Sequence, residues 1–170
     1  MKRFAIALAA LVLAAPAFAA PAPKLALTSI ADLPVVERNP YDEAATPAAA
    51  DAAVAAAFDR ARKAGKRVLI DLGGNWCGDC VVLANIMRLP ELRPFLAAHY
   101  EIVSVDVGRF DKNLQVPARF GFAKRLLGVP TVLIATPDGK LVNGTDVFAL
   151  ADARHMNPQG IADWLAKWTP

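Results

Sequence analysis

Two cysteines, Cys77 and Cys80, are the residues of this chain best suited to do chemistry. They are the only cysteines in 170 residues, and they stand in the run GGNWCGDC at 73–80. At the start of a helix, residues three apart share one face, so the two thiols can join in a small disulfide ring. The helix dipole and free backbone N–H groups at that end stabilise a thiolate, which makes Cys77 the candidate nucleophile. Cys80 is then the resolving thiol that displaces the substrate from a mixed disulfide.

A closely spaced cysteine pair can also bind zinc, attach haem or form a purely structural disulfide. A zinc site needs further ligands, and the two histidines, His99 and His155, lack the paired spacing that such sites show. Covalent haem attachment requires a histidine directly after the second cysteine, and Val81 stands there, so haem attachment is excluded. A structural disulfide would close too small a loop to constrain the unfolded chain much. Zinc and a structural disulfide stay open, and the spacing favours a redox-active pair.

The segments around the cysteine pair alternate between predicted helices and strands. Thr46-Pro47 indicates a helix start, and Gly65 a helix end. The apolar run at 68–72 predicts a strand that leads directly into Gly73-Gly74, and a helix is expected over 77–88. The order α-β-α-β-α-β-β-α predicts an α/β fold with a mixed sheet. The remaining predictions are at most a short helix at 91–100, strands at 101–107 and 128–135, a loop at 108–116, a helix at 118–127, a hairpin return at 141–147 and a last helix after Asn157-Pro158.

The N-terminal sequence predicts export. Lys2 and Arg3 precede an Ala/Leu/Val stretch that ends in small residues, which is typical of a cleavable signal at 1–19 and of a periplasmic or secreted protein. This stretch is shorter than the roughly 20 residues of a membrane span, so we expect no membrane insertion of the mature chain. Residues 20–40 are predicted as a leader segment or linker, with 25–30 as a possible edge strand, and residues 41–170 as the domain.

The charge of the chain gives no reason to expect a nucleic-acid partner. The formal net charge is +3, and loss of Lys2 and Arg3 with the signal would reduce it to +1. A net charge this close to zero does not indicate binding to a polyanion.

The run VLIDLGGNWCGDC at 68–80 resembles the strand, loop and active-site helix of the thioredoxin superfamily. Val129-Pro130-Thr131 is similar to the cis-proline segment of that family, and PDGK at 137–140 to its hairpin turn. The resemblance covers about residues 50–170, and the prolines after the active-site helix resemble the exported members. It implies a thioredoxin-like three-layer α/β fold with a central mixed β-sheet flanked by helices.

The resemblance also implies roles for individual residues. Asp71 matches the family's buried aspartate, a proton relay for Cys80, and burial is expected to raise its pKa. Pro130, in cis, would present the Val129 backbone beside Cys77. No cofactor and no metal are implied. The implied substrate-binding residues are Trp76, Gly78, Asp79, Val129, Pro130 and Thr131.

Two departures from the family bear on the redox potential. Gly78-Asp79 replaces the common Gly-Pro between the cysteines, and the Asp79 charge is expected to disfavour the Cys77 thiolate, which predicts a reducing potential. The lysine that neighbours the buried aspartate in many members has no counterpart in EIVSVDV at 101–107. Arg154-His155-Met156 forms a cluster to which the sequence assigns no role.

The expected function is that of an exported, monomeric thiol–disulfide oxidoreductase that reduces protein disulfides. An exported reductant would need a membrane-bound electron donor to restore its dithiol. The alternatives are a disulfide oxidase or isomerase, and a non-enzymatic module that binds Cu(I) or a partner protein, since soft thiolates suit Cu(I).

Overall fold

The computed structural model describes residues 19–122 and 126–170, and these residues form one sheet between two layers of helices. The strands are β1 (Arg67–Gly73), β2 (Tyr100–Asp106) and β3 (Thr131–Ala135), in the order β2-β1-β3. Strand β1 is parallel to β2 and antiparallel to β3, as the predicted mixed sheet requires. The predicted signal at 1–19 falls, apart from Ala19, outside the described residues.

The helices other than α4 begin and end close to where the sequence indicates. They are α1 (Pro47–Ala64), α2 (Gly78–Ile86), α3 (Leu92–His99), α4 (Gln115–Ala118) and α5 (Pro158–Lys167). The Thr46 side chain accepts the Ala49 N–H, and Gly65 ends α1 with a left-handed φ of 67°, which glycine adopts without strain. None of the helices in the described ranges is long and apolar enough to cross a bilayer.

Strand β1 supplies side chains to both halves of the core. Val68, Ile70 and Leu72 pack in one cluster with the buried alanines and Val54 of α1. Leu69 points to the opposite face and packs in a second cluster, which includes residues of α2, α3 and α5. This alternation follows from the two-residue period of a strand, and it makes β1 the central element that carries the site at its carboxyl end.

The helix predicted at 118–127 is wrong. The helical turn lies earlier, at Gln115–Ala118, inside the segment predicted as a loop. Gly121 takes a left-handed φ of 93°, and the Phe122 N–H bonds back to the Pro117 carbonyl, so the chain turns away there. Residues 123–125 of the predicted helix lie outside the described residues.

The predicted hairpin return at 141–147 forms only in part, because a side chain takes the place of the backbone in its middle. Backbone pairing with β3 consists of a bridge between Ala135 and Leu141 and of bonds from the Val142 N–H to the Ile134 carbonyl and from the Val132 N–H to the Val147 carbonyl, at 2.8 and 2.9 Å. In between, the buried Asn143 side chain accepts the Ile134 N–H and donates to the Val132 carbonyl, each at 2.8 Å. These two bonds provide hydrogen-bond partners for backbone groups of Ile134 and Val132 on β3. The segment around Asn143 can therefore turn without continuing as a paired strand.

Residues 20–41, here called the strap, lie along the domain without a strand. The edge strand expected at 25–30 is absent, and the strap has a single 3₁₀ turn at Ile30–Asp32. Leu25 and Leu33 are buried in the second core cluster. The Asn85 side chain accepts the N–H groups of both Val36 and Glu37, at 2.8 and 2.9 Å. At the end of the strap, the Tyr41 N–H bonds to the side chain of Asn75, two residues beyond the carboxyl end of β1.

Candidate active site

Cys77 and Cys80 form a disulfide at the N-terminus of α2. Their Cα atoms are 5.2 Å apart. Cys77 is the N-cap residue, and its Sγ accepts the Cys80 N–H at 3.2 Å. An N-cap sulfur faces the positive end of the helix dipole and the free N–H groups of the first turn. The position therefore favours negative charge on Cys77 once the disulfide is reduced.

The two sulfurs differ in access. Cys77 is 5% exposed and Cys80 is fully buried. In this closed disulfide form both are well covered, and Cys77 retains the small opening to solvent. Cys77 is thus the more accessible of the two sulfurs, in the order that the helix geometry predicts.

The segment before β3 lies against the disulfide. The Val129–Pro130 peptide bond is cis, as the resemblance implies, and the Val129 carbonyl oxygen is 3.4 Å from Cys77 Sγ. Thr131 is fully buried, and its hydroxyl donates to the Gly128 carbonyl at 2.6 Å. Val129 and Pro130 therefore border the reactive sulfur, while the Thr131 side chain supports the turn from inside and is not available to a substrate.

Trp76 forms an exposed surface next to Cys77. The residue is 42% exposed, and its indole N–H donates to the Gly108 carbonyl at 2.8 Å. The Phe110 ring meets the indole edge-on at 6.2 Å between centroids, and the Arg109 guanidinium lies 4.7 Å from the ring centroid. Both contacts fix the indole and surround it with an aromatic and a positive group. The sequence did not indicate Arg109 or Phe110, which follow β2.

Asp71 is a fully buried acid on β1. Burial raises its pKa from 3.8 to about 7, and a hydrogen bond from the Tyr41 hydroxyl to Oδ2, at 2.8 Å, acts in the opposite direction. Its second oxygen, Oδ1, is buried and has no hydrogen-bond partner among the described residues. A carboxyl with such a pKa exchanges a proton readily near neutral pH, as a general base requires.

Gly73 allows Tyr41 and Cys80 to approach the same point. A Cβ at Gly73 would lie 2.9 Å from Cys80 Sγ and closer still to the Tyr41 hydroxyl. The backbone of Tyr41 is fixed by the Asn75 side chain, which accepts its N–H and donates to its carbonyl, each at 3.0 Å. Hence the strap supplies a phenol to the buried side of the disulfide.

Asp79 is paired with a residue 75 positions away. Its Oδ1 accepts the Arg154 backbone N–H at 2.9 Å, and its Oδ2 lies 3.1 Å from the Arg154 guanidinium. A Cβ on Gly78 would be 3.2 Å from two atoms of the Arg154 side chain, so this cation covers the backbone next to Cys77. The expectation that the Asp79 charge disfavours the Cys77 thiolate changes accordingly, because the Arg154 guanidinium offsets this charge. The cluster 154–156, left without a role by the sequence, thus contributes Arg154 to the site.

The histidines do not join the cysteines. The His99 ring packs at a tilt against Phe95, and His155 pairs with Asp152. Within the residues that the structure describes, no group of three or more His, Cys, Asp or Glu side chains is placed to hold a metal ion.

Comparison with known families agrees with this geometry. A family model described as Thioredoxin-like matches residues 49–137, which is more than half of the chain. This chain belongs to the thioredoxin-like family. The matched region contains β1, the Cys77–Cys80 pair and the Val129–Pro130 segment, whereas Tyr41 and Arg154 lie outside it.

Three curated proteins are similar in sequence to this thioredoxin-like chain. Thioredoxin from Haemophilus influenzae is 34% identical over 90 residues, which are 53% of this chain and 74% of that protein. Thioredoxin from Alicyclobacillus acidocaldarius is 32% identical over 77 residues, 45% of this chain and 65% of that protein. Thiol:disulfide interchange protein DsbD 1 from Pseudomonas aeruginosa is 37% identical over 97 residues, 55% of this chain. The chain spans only 15% of the length of DsbD 1.

A solved structure extends the similarity to the fold. The crystal structure of a disulphide isomerase from Xylella fastidiosa Temecula1 matches with a TM-score of 0.69 and 38% identity, over 75% of this chain and 95% of that chain. The predicted thioredoxin-like α/β fold is thereby confirmed. Similarity to thioredoxins and to a disulphide isomerase supports thiol–disulfide oxidoreductase as the enzyme class.

Proposed function

We propose that this protein is exported and reduces protein disulfides through Cys77 and Cys80. The observation that carries the proposal is the disulfide itself, which lies at the N-terminus of α2 with the Val129 carbonyl 3.4 Å from Cys77 Sγ. On its inner side the Tyr41 hydroxyl approaches the same point beside Gly73 as Cys80 Sγ and donates to the buried Asp71. A nucleophilic thiol, a resolving thiol and a proton acceptor are thus arranged in one chain, and the reaction needs no cofactor, metal or second copy.

The reaction proceeds in two exchange steps. In the reduced protein the Cys77 thiolate attacks one sulfur of the substrate disulfide, which forms a mixed disulfide and releases the first substrate thiolate. Cys80 then loses its proton to Asp71, and its thiolate attacks Cys77 Sγ. The Cys77–Cys80 bond forms, and the second substrate thiolate leaves. The substrate gains two electrons, and the protein dithiol loses them.

The surface around Cys77 suits an extended protein segment. The exposed Trp76 ring offers apolar contact on one side of the sulfur. On the other side, Val129 and Pro130 present main-chain groups beside it, and the Arg154 side chain lies over Gly78 in the first turn of α2. We propose that a substrate cysteine lies between these two surfaces. Asp79 acts on this site indirectly, by binding Arg154.

Export and electron supply form the second part of the proposal. The predicted signal at 1–19 supports a periplasmic or secreted location. In an oxidising compartment the dithiol has to be restored by a donor, and we propose a membrane-bound dithiol protein. The similarity to part of an interchange protein supports a partner of this chemical class.

Disulfide isomerisation is the second candidate function. It is favoured by the similarity to the Xylella fastidiosa disulphide isomerase over nearly that whole chain. An isomerase uses the same Cys77 attack but releases Cys77 when a different substrate thiol resolves the mixed disulfide. The isomerase reaction therefore depends less on Cys80 than net reduction does.

The test compares two substrates and two variants. The wild type should reduce insulin with dithiothreitol as donor, and both Cys77→Ser and Cys80→Ser should lose this activity. On scrambled ribonuclease, activity that survives in Cys80→Ser would favour isomerisation. Stoichiometric Cu(I) retention without turnover on either substrate would instead support the binding-module alternative.

A further inference from the structure

We propose that Tyr41 is a positioning residue for Asp71 in the resolving step, and that the strap belongs to the catalytic apparatus for this reason. The inference rests on the function proposed above and adds a residue to it. Tyr41 lies 30 positions before Asp71 and outside the matched family region at 49–137.

The hydroxyl of Tyr41 makes a buried contact with the acid. It donates to Asp71 Oδ2 at 2.8 Å, and both residues are almost or fully inaccessible to solvent. Only a glycine at position 73 permits this arrangement, because a side chain there would collide with the hydroxyl and with Cys80 Sγ. The phenol, the carboxyl and the resolving sulfur thus share one enclosed space.

The strap is fixed where it delivers Tyr41. Asn75 holds the backbone N–H and carbonyl of Tyr41 at once, and it lies two residues before Cys77. Further along α2, Asn85 accepts the Val36 and Glu37 N–H groups and donates to the Glu37 carbonyl at 2.7 Å. The loop and helix that carry the cysteines therefore also determine where the Tyr41 hydroxyl lies.

This contact has a definite effect on the proton transfer. A buried carboxylate lacks the solvation that stabilises its charge, and a hydrogen bond to one oxygen restores part of it. With Oδ2 occupied by Tyr41, Oδ1 is left to take the proton from Cys80. The hydroxyl keeps Asp71 ionised at lower pH than burial alone would allow, so that the base is ready when the mixed disulfide forms.

The residues beside Asp71 in the sheet stabilise its carboxylate less than Tyr41 does. Its neighbours on β2 and β3 are Ser104 and Val132, which carry no charge. The Ser104 side chain lowers the pKa of Asp71 in the same direction as Tyr41, but by less. From α2, Cys80 approaches the same enclosed space.

Besides Asp71, a second acidic group lies near the phenol. Burial raises the pKa of Tyr41 most and the Asp71 carboxylate adds to the rise; Asp106, at the end of β2, contributes less and has Lys112 at 3.3 Å. The phenol therefore stays protonated and remains a donor to Asp71. In this way the strap hydroxyl compensates for the lysine that this chain lacks beside its buried acid.

The experiment is Tyr41→Phe, which removes one hydroxyl. Resolution of a preformed mixed disulfide between Cys77 and a peptide thiol is followed across pH 5 to 9. The midpoint should move up by about one pH unit, in the range that loss of a hydrogen bond to a charged group produces, and the rate at pH 7 should fall about fivefold. Alkylation of Cys77 should keep its rate, since that thiol is not touched.

Tyr100→Phe is the matched control. Tyr100 is also buried, and its hydroxyl donates to the Leu165 carbonyl at 2.6 Å, but it lies at the opposite end of the sheet. This variant should lose comparable stability and leave the pH midpoint where it is. Asn75→Ala, which loosens the Tyr41 backbone but keeps the hydroxyl, should shift the midpoint in the same direction by less.

A direct titration separates the inference from the proposed function. The Asp71 carboxyl is titrated by NMR in the oxidised protein, where no turnover is needed, and Tyr41→Phe should raise its pKa. A wild type without exchange activity would reject the proposed function while this titration still decides the inference. An unchanged Asp71 titration in folded Tyr41→Phe, or an equal shift in Tyr100→Phe, would overturn it.

Discussion

The Asp79 carboxylate accepts the Arg154 backbone N–H at 2.9 Å and lies 3.1 Å from its guanidinium. This pair joins the first turn of α2 to the 3₁₀ turn at Ala153–His155. Asp79 is therefore not an isolated charge between the two cysteines. It forms a neutral pair with Arg154, and the cation lies over Gly78. The properties of Cys77 therefore depend on both partners.

Arg154→Ala should raise the pKa of the Cys77 thiol, because the variant removes the cation and leaves the Asp79 charge beside the thiolate. Asp79→Asn should lower it, because the cation then stands alone. We expect each change to be about half to one pH unit at low salt, as for partly exposed charges. The measurement is the pH dependence of Cys77 alkylation by iodoacetamide, with Arg93→Ala on α3 as control. Shifts of the same sign in both variants would show that the two charges do not act as a pair.

Asp71→Asn should stabilise the oxidised protein more at pH 8 than at pH 4.5. The folded protein holds the Asp71 proton up to a pKa of about 7, against 3.8 for an ordinary aspartate, so it binds more protons than the unfolded chain between these values. Wild-type stability consequently falls as pH rises through this window, and the asparagine variant lacks that fall. The gain of the variant over wild type should grow by about 3 kcal/mol from pH 4.5 to 8.

Urea unfolding of both oxidised proteins at the two pH values provides the measurement. Equal differences in unfolding free energy at pH 4.5 and pH 8 would mean that the folded Asp71 titrates like an exposed acid.

Gly73→Ala should destabilise the protein by about 1–3 kcal/mol, the usual cost of overpacking a core. The added methyl would collide with Cys80 Sγ and the Tyr41 hydroxyl, so the resolving step should slow as well. Gly160→Ala in α5 is the control, because nothing lies within 4 Å of its Cβ position. That substitution should be neutral or stabilise by up to about 1 kcal/mol through helix propensity. Similar unfolding midpoints for the two variants would show that the space at Gly73 is not needed.

Much of the site was predictable because its parts are local in sequence. The strand, the Gly73-Gly74 loop and the helix start at Cys77 follow one another directly, and the N-cap at Thr46 stands next to the proline that begins α1. Within such segments, periodicity and turn chemistry act over a few residues and can be recognised without the fold.

The parts that escaped prediction depend on contacts between distant residues. Tyr41 reaches Asp71 across 30 positions, and Arg154 reaches Asp79 across 75. The predicted hairpin failed at Asn143 because a side-chain amide can satisfy a strand edge that backbone usually pairs. No local pattern distinguishes such polar residues from those that lie in solvent.

In the proposed reaction Cys77 attacks a substrate disulfide, and Cys80 then resolves the mixed disulfide that forms. The decisive experiment reacts reduced Cys80→Ser and reduced Cys77→Ser with a disulfide-containing protein and identifies the trapped adducts by mass spectrometry. Cys80→Ser should accumulate a stable mixed disulfide through Cys77, and Cys77→Ser should give little adduct because the remaining sulfur is fully buried at position 80. Faster or more extensive adduct formation through Cys80 would contradict this division of roles.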